Sequence, residues 1–185
     1  KVMADFSEKN PEKLETLAQN NTDQIEKLTI SAVEQAESSQ EDASLIAKVV
    51  AVANDELVNK VVEEVSKSST EEKQTLSAQV LKAIVDTEPN KLEVINEGVK
   101  DTMIKQTIES AQNQQEGTGV QVIEDMTSIV SDIIVNSNTE TGSKMIEELN
   151  NSSTDTESDL SLQVISAISE KDTTKLNVLS ENNKE

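Results

Sequence analysis

The stretch LSAQVLKAIVDTEPNKLEVINE, Leu76 to Glu97, returns as LSLQVISAISEKDTTKLNVLSE, Leu160 to Glu181, eighty-four residues further on. Ten of the twenty-two positions are identical, and several others exchange one aliphatic for another. Part of the motif also stands near the start, where NPEKLETLAQ (Asn10 to Gln19) aligns with EPNKLEVINE and Pro11 matches Pro89. A chain that begins and ends inside one motif reads as a window on a longer array of repeats.

A second segment carries the same period. KVVEEVSKSST (Lys60 to Thr70) reappears as KMIEELNNSST (Lys144 to Thr154), with six of eleven positions identical. The Pro11 to Pro89 offset is seventy-eight, six short of the other spacing, and VNSNTETGS (Val135 to Ser143) is the expected site of the six extra residues. The implied division is residues 1–79 as a first unit entered midway, 80–163 as a second with an insertion near 135–143, and 164–185 as the start of a third.

Within a unit the apolar spacing is helical. Leu45, Ile46, Val49, Val50 and Ala53 recur at three- and four-residue steps, as do Val58, Val61, Val62 and Val65, then Leu76, Val80, Leu81, Ile84 and Val85. No stretch keeps the period-two alternation of a half-buried strand. The Ser-Ser-Thr runs before Glu71 and Asp155 predict hydroxyl caps ahead of acidic first turns, and Pro11 and Pro89 suit a first helical position. The spacing predicts helices over 41–53, 55–68, 70–87 and 89–113, the last bent near Gly98. An even number of antiparallel helices lets units stack by translation, so the expected fold is all-α: an α-solenoid of about eighty residues per unit, with two helix pairs in each. Forty residues per pair resembles HEAT and armadillo repeats in period, although the signature residues of those families and of tetratricopeptide repeats are lacking.

Composition narrows the function classes. Apolar residues make up 34%, almost all Val, Ile, Leu and Ala, with Phe6 the lone aromatic. Such a chain suits thin helix-on-helix layers better than a large aromatic core. The net charge is −20 and all sixteen basic residues are lysine, a surface that repels nucleic-acid phosphates and anionic membranes. No apolar run approaches the ~20 residues that span a bilayer. With neither His nor Cys, the commonest general base and the strongest side-chain nucleophile are missing. Disulfides and thiolate metal sites are excluded.

The remaining candidates are few. The carboxylate pairs Glu63-Glu64, Glu71-Glu72 and Glu147-Glu148 could meet calcium. Asn136, Asn138, Glu140 and Glu147 fall at positions one, three, five and twelve of an EF-hand-like loop. That loop opens with Asn, and Thr141 rather than Gly142 occupies its turn position, so a polar surface loop is the plainer reading. Met3, Met103, Met126 and Met145 substitute for core aliphatics. Gly98, Gly117, Gly119 and Gly142 have no Lys-Ser/Thr following and form no phosphate loop. Lys60, Lys82, Lys91, Lys144 and Lys175 are expected to lie along apolar stripes or pair with nearby Glu.

No catalytic, cofactor-binding or metal residue is therefore assigned. The expectation is a non-enzymatic spacer or scaffold segment of a longer acidic protein, partnered by its neighbouring repeats or by other proteins, with a homo-oligomer or filament compatible. The alternative is a module holding a peptide or basic partner along a concave face. Cysteine-free, acidic repeats rich in Asn, Ser and Thr suit an extracellular or cell-surface protein of a bacterium, and a cytoplasmic scaffold would look similar.

Overall fold

The structure, a computed structural model, describes residues 22–36, 40–67, 70–115, 126–151 and 157–182. It is all-helical, with no strand among the described residues. The α-helices run α1 Thr22–Gln35, α2 Gln40–Val52, α3 Asp55–Ser66, α4 Glu71–Thr87, α5 Glu97–Gln115, α6 Met126–Asn136, α7 Thr139–Asn151, α8 Glu157–Lys171 and α9 Thr173–Asn182. A 3-10 turn, Pro89–Glu93, lies between α4 and α5.

The stripes read from the sequence become buried faces. Ile46, Val50, Val58, Val61, Val62, Val65, Leu76, Leu81 and Ile84 join one aliphatic core that continues through Ile129, Ile133, Ile134, Leu160, Val164 and Ile168. Met103, Met126 and Met145 are fully buried in it, where an unbranched thioether fills irregular gaps; Met3 lies outside the described residues. Each fully buried Leu or Ile contributes about 1.5–3 kcal/mol, so these faces outweigh the weak intrinsic helix preference of a Val-, Ser- and Asn-rich chain.

Packing follows chain order. α2 lies on α4, α4 on α6 and α6 on α8, while α1 lies on α3, α3 on α5, α5 on α7 and α7 on α9. Each helix also meets its immediate successor, most extensively α4 with α5.

Three expectations are corrected. The predicted bent helix over 89–113 is two elements: the 3-10 turn, then a break at Val94–Asn96 before α5. Gly98 sits exposed in the first turn of α5 and marks no kink. The break is held by Asn59, whose Nδ2 donates to Val94 O at 2.8 Å and whose Oδ1 accepts from the Asn96 amide at 2.6 Å. One side-chain amide thus satisfies both backbone groups that a continuing helix would have paired internally.

The second correction concerns residues 135–143, which form no inserted loop. They are the end of α6, a cap and the first turn of α7. Asn138 Oδ1 accepts from the Thr141 amide at 2.9 Å, as Asn54 Oδ1 accepts from the Leu57 amide at 2.9 Å. Those residues stand eighty-four apart, so the spacing is unbroken through the segment. The six extra residues must fall further back, between Met103 (matched to Ile25 at an offset of seventy-eight) and Ile129 (matched to Leu45 at eighty-four).

The third concerns caps. Thr70 holds the N-cap position of α4, but its side chain makes no capping hydrogen bond; Ser68, Ser69 and Ser152–Thr156 lie outside the described residues. The side-chain caps seen at α3, α7 and α9 are Asn54, Asn138 and Asp172, the short polar residues that reach an N2 or N3 amide best.

Candidate functional site

The polar side chains that cross between helices are chiefly lysines, and they fall into two kinds. Lys91 Nζ donates to Ala53 O at 2.8 Å, and Lys175 Nζ donates to Ser137 O at 2.6 Å. Both carbonyls stand just past a helix end, those of α2 and α6. A helix C-terminus presents unpaired carbonyls and partial negative charge, which an ammonium satisfies on both counts. Lys73 does the same for α1, donating to Val33 O at 2.6 Å and Ala36 O at 3.0 Å. Lys91 and Lys175, expected to lie along apolar stripes or to pair with nearby Glu, place their ammonium groups on backbone carbonyls. Burial holds the Lys175 ammonium below its usual pKa, with nearby Asp172 acting in the opposite direction.

The other kind is the ion pair. Asp132 of α6 lies between Lys171 of α8 at 2.7 Å and Lys82 of α4 at 3.7 Å, so one carboxylate faces helices on both sides. Lys171 also donates to Ser131 Oγ at 2.8 Å. Lys144 of α7 pairs with Glu97 and Asp101 of α5 and lies 4.0 Å from Glu140. Lys60 pairs with Glu56 at 3.1 Å. These groups are partly exposed, where an ion pair contributes about 0–1 kcal/mol. They set register more than stability.

A third polar group is a buried seam between α4 and α5. Gln74 donates to Glu109 at 2.6 Å, Thr75 and Ser110 share a 2.9 Å bond, and Ser77 donates to Gln106 Oε1 at 2.7 Å. Gln106 in turn donates to Ser66 O at 3.0 Å, tying in the end of α3. Satisfied networks of this kind fix one pairing of helices against its alternatives.

Among the described residues no group of three or more acidic side chains is placed to hold a metal. The EF-hand-like positions are drawn into helix: Asn136 ends α6, Asn138 caps α7, Glu140 is exposed, and Thr141 and Gly142 are buried. Glu64 is taken by Lys67 at 2.6 Å, and Glu63 is exposed.

Surface grooves among the described residues include these. One of about 190 Å³ is lined by Ala43, Ser44, Gln79, Lys82, Ala83, Asp86 and Thr87. The other, about 260 Å³, is lined by Asp101, Ile104, Lys144, Glu147, Glu148 and Asn151. Both are below the size of a typical small-molecule site. Among the described residues no helix is long and apolar enough to cross a membrane.

The sequence reading missed the roles of Asn54, Asn138, Asn59 and Asp172. Asn54 and Asn138 carried a usable signal, since both stand at the same eighty-four-residue spacing as Lys60 and Lys144. Comparison of the chain with models of known families, with curated proteins and with solved structures gives no match.

Proposed function

We propose that the chain is a structural spacer or scaffold segment, an α-solenoid of the roughly eighty-residue unit read from the sequence, with no catalysis of its own. The observation that carries this reading is the order of packing, each helix on its successor and on the next but one. The lysine-to-carbonyl contact recurs with it, from Lys91 to Ala53 and from Lys175 to Ser137. Interfaces made mainly between near neighbours, with α5 on α8 the longest step, can be added without limit, which is what a spacer needs and an active site does not.

Nearest-neighbour cohesion has a thermodynamic signature. Damage at one end of such an array stays local, whereas damage to a shared core is felt throughout. The test is native-state hydrogen exchange on Val50→Ala in α2 and Val164→Ala in α8. Val50→Ala is expected to lower protection in α1–α4 and leave the slowest amides of α8 unchanged, with the reverse for Val164→Ala. Uniform loss of protection in both variants sinks the reading.

One observation favours the alternative, a module for a basic partner: the groove between α5 and α7 sets Ile104 among three carboxylates, Asp101, Glu147 and Glu148, against one lysine, Lys144, which is paired with Asp101. Titration with a lysine-rich peptide at low and high salt tests it. Binding that does not weaken with salt, or no binding at all, removes it.

A further inference from the structure

The α6–α8 joint and the α2–α4 joint are built from matching positions, and a lysine at the end of α8 crosses the first. Lys171 Nζ donates to Asp132 Oδ1 at 2.7 Å and Ser131 Oγ at 2.8 Å, with Ser128 Oγ at 3.4 Å and Ser128 O at 3.5 Å. Eighty-four residues earlier the receiving wall is Ser44, Ala47 and Lys48, and Thr87 stands in the lysine's place. Thr87 is too short to cross. Its Oγ1 donates back to Ala83 O of its own helix at 2.7 Å. The groove of about 190 Å³ lies along this joint, with Ser44 on the α2 wall and Gln79, Lys82, Asp86 and Thr87 on the α4 wall.

The groove is short of a donor. Gln79 is 5% exposed, and its Oε1 is buried without a hydrogen-bond partner, an arrangement that is costly until a donor reaches the oxygen. The last torsion of a glutamine is broad and roughly two-fold, so this oxygen can turn toward a donor entering the groove. Lys82 is already committed to two acids, Asp86 at 2.5 Å and Asp132 at 3.7 Å. The Asp86 carboxylate, with about four lone-pair sites, can accept from a second ammonium as well. The α6–α8 joint shows that a four-carbon stem ending in an ammonium fits between helices of this pattern, against the serine that Ser44 repeats. Lys48 opposes such a guest. It replaces Asp132, the nearest contact Lys171 makes, and sets positive charge on the same wall.

We propose that the α2–α4 groove binds a primary ammonium on a flexible alkyl stem, in the place that Lys171 fills between α6 and α8, with Ser44 Oγ, Gln79 Oε1 and the Asp86 carboxylate as its acceptors. A lysine side chain of another protein and a free alkyl diamine both carry that group. The net charge of −20 draws either toward the surface. An anion would meet Lys82, but it would also face Asp86 and leave the Gln79 oxygen without a donor.

Titration of the isotope-labelled full chain with n-butylammonium at constant ionic strength, followed by backbone amide and side-chain carboxamide resonances, tests the site. Saturable shifts are expected at Ser44, Thr87 and the Gln79 carboxamide, and sodium butyrate at the same concentrations is expected to give none. Thr87→Lys, at an exposed position, supplies the stem from within and should abolish the shifts. Lys48→Asp restores the carboxylate that Lys171 uses and should tighten binding about tenfold. Gln79→Met keeps the length of the side chain, removes the acceptor and should weaken binding. Should that variant lose its helical circular dichroism, Ser44→Ala takes its place. Nα-acetyl-lysine methylamide and cadaverine separate the two sources: binding of the first supports a protein lysine, and binding of cadaverine alone supports the free diamine. Failure of butylammonium to saturate, binding of butyrate at the same residues, or a Thr87→Lys chain that binds like the wild type overturns the proposal and leaves the groove a hydrated gap between two helices.

Discussion

Glu88–Asn96 and Asp172–Ser180 occupy matching places in the repeat, share three of nine residues, and end as different structures. Both place a Lys-Leu pair followed two residues on by Val, and in both the lysine reaches a carbonyl thirty-eight residues back. The first is a 3-10 turn followed by a break; the second is the body of α9. Two contacts differ visibly between them, alongside Pro89 in place of Thr173. Asp172 is short enough to accept from the Lys175 amide at 3.0 Å, whereas Glu88 makes no side-chain cap. Asn59 braces the break, and its counterpart Ser143 is half-buried with a buried, unpartnered Oγ. The same contrast extends through the first turns of α3 and α7. Leu57-Val58-Asn59 is replaced there by Thr141-Gly142-Ser143, so a tightly filled, fully satisfied turn becomes one with two orphan hydroxyls. Gly142 makes room for this: a Cβ there would lie 3.2 Å from Leu179 Cδ2 and 3.3 Å from Ile134 O. Local sequence chooses helix, and the facing helix chooses which kind.

The contrast breaks most visibly in the core. Leu57→Ala should cost about 2–5 kcal/mol by leaving a cavity, whereas Thr141→Val should stabilise by on the order of 1 kcal/mol by removing an unpaired buried hydroxyl. Urea unfolding followed by circular dichroism reads both; equal losses would erase the distinction between the two turns. Next comes the brace. Asn59→Ala strips partners from Val94 O and the Asn96 amide and should cost about 1–3 kcal/mol, with Asn96 amide exchange accelerating before that of its neighbours. Unchanged exchange at Asn96 would show that the break holds itself.

Smaller effects separate the two lysine contacts from their surroundings. Lys91→Met should cost about 1 kcal/mol through the lost bond to the α2 terminus. Lys175 adds a pH dependence. Its pKa is lowered in the folded state, so the unfolded chain binds more protons between that lowered value and 10.5. Stability from this group therefore rises with pH across that window. Relative to Lys175→Met, the wild type should gain stability there, and a flat difference would remove burial as the cause. Smallest of all, Lys144→Met should cost at most about 1 kcal/mol, and less in high salt.

Much of the helical order was legible. The expected spans 41–53, 55–68 and 70–87 are observed as 40–52, 55–66 and 71–87, because three- and four-residue apolar spacing is a local property of the chain. The break at 94–96 was not legible, since Asn59, which braces it, lies thirty-five residues from Val94 in sequence. Residues 135–143 misled for a related reason. Thr141, Gly142 and Ser143 look like loop in isolation, and only the matched caps Asn54 and Asn138 reveal the turn they share. The duplicated lysines were visible, but their targets are backbone carbonyls, which carry no letter in a sequence.

Packing that runs from each helix to the next two has a mechanical consequence. Under the proposed spacer reading, a load applied between the ends would be borne by contacts between helices at most three apart, as α5 is from α8. The weakest pair lets go first, lengthens the molecule by the contour it held, and lowers the force on the remainder. A spacer of the proposed kind would yield in short steps and recover them one by one when the pull relents.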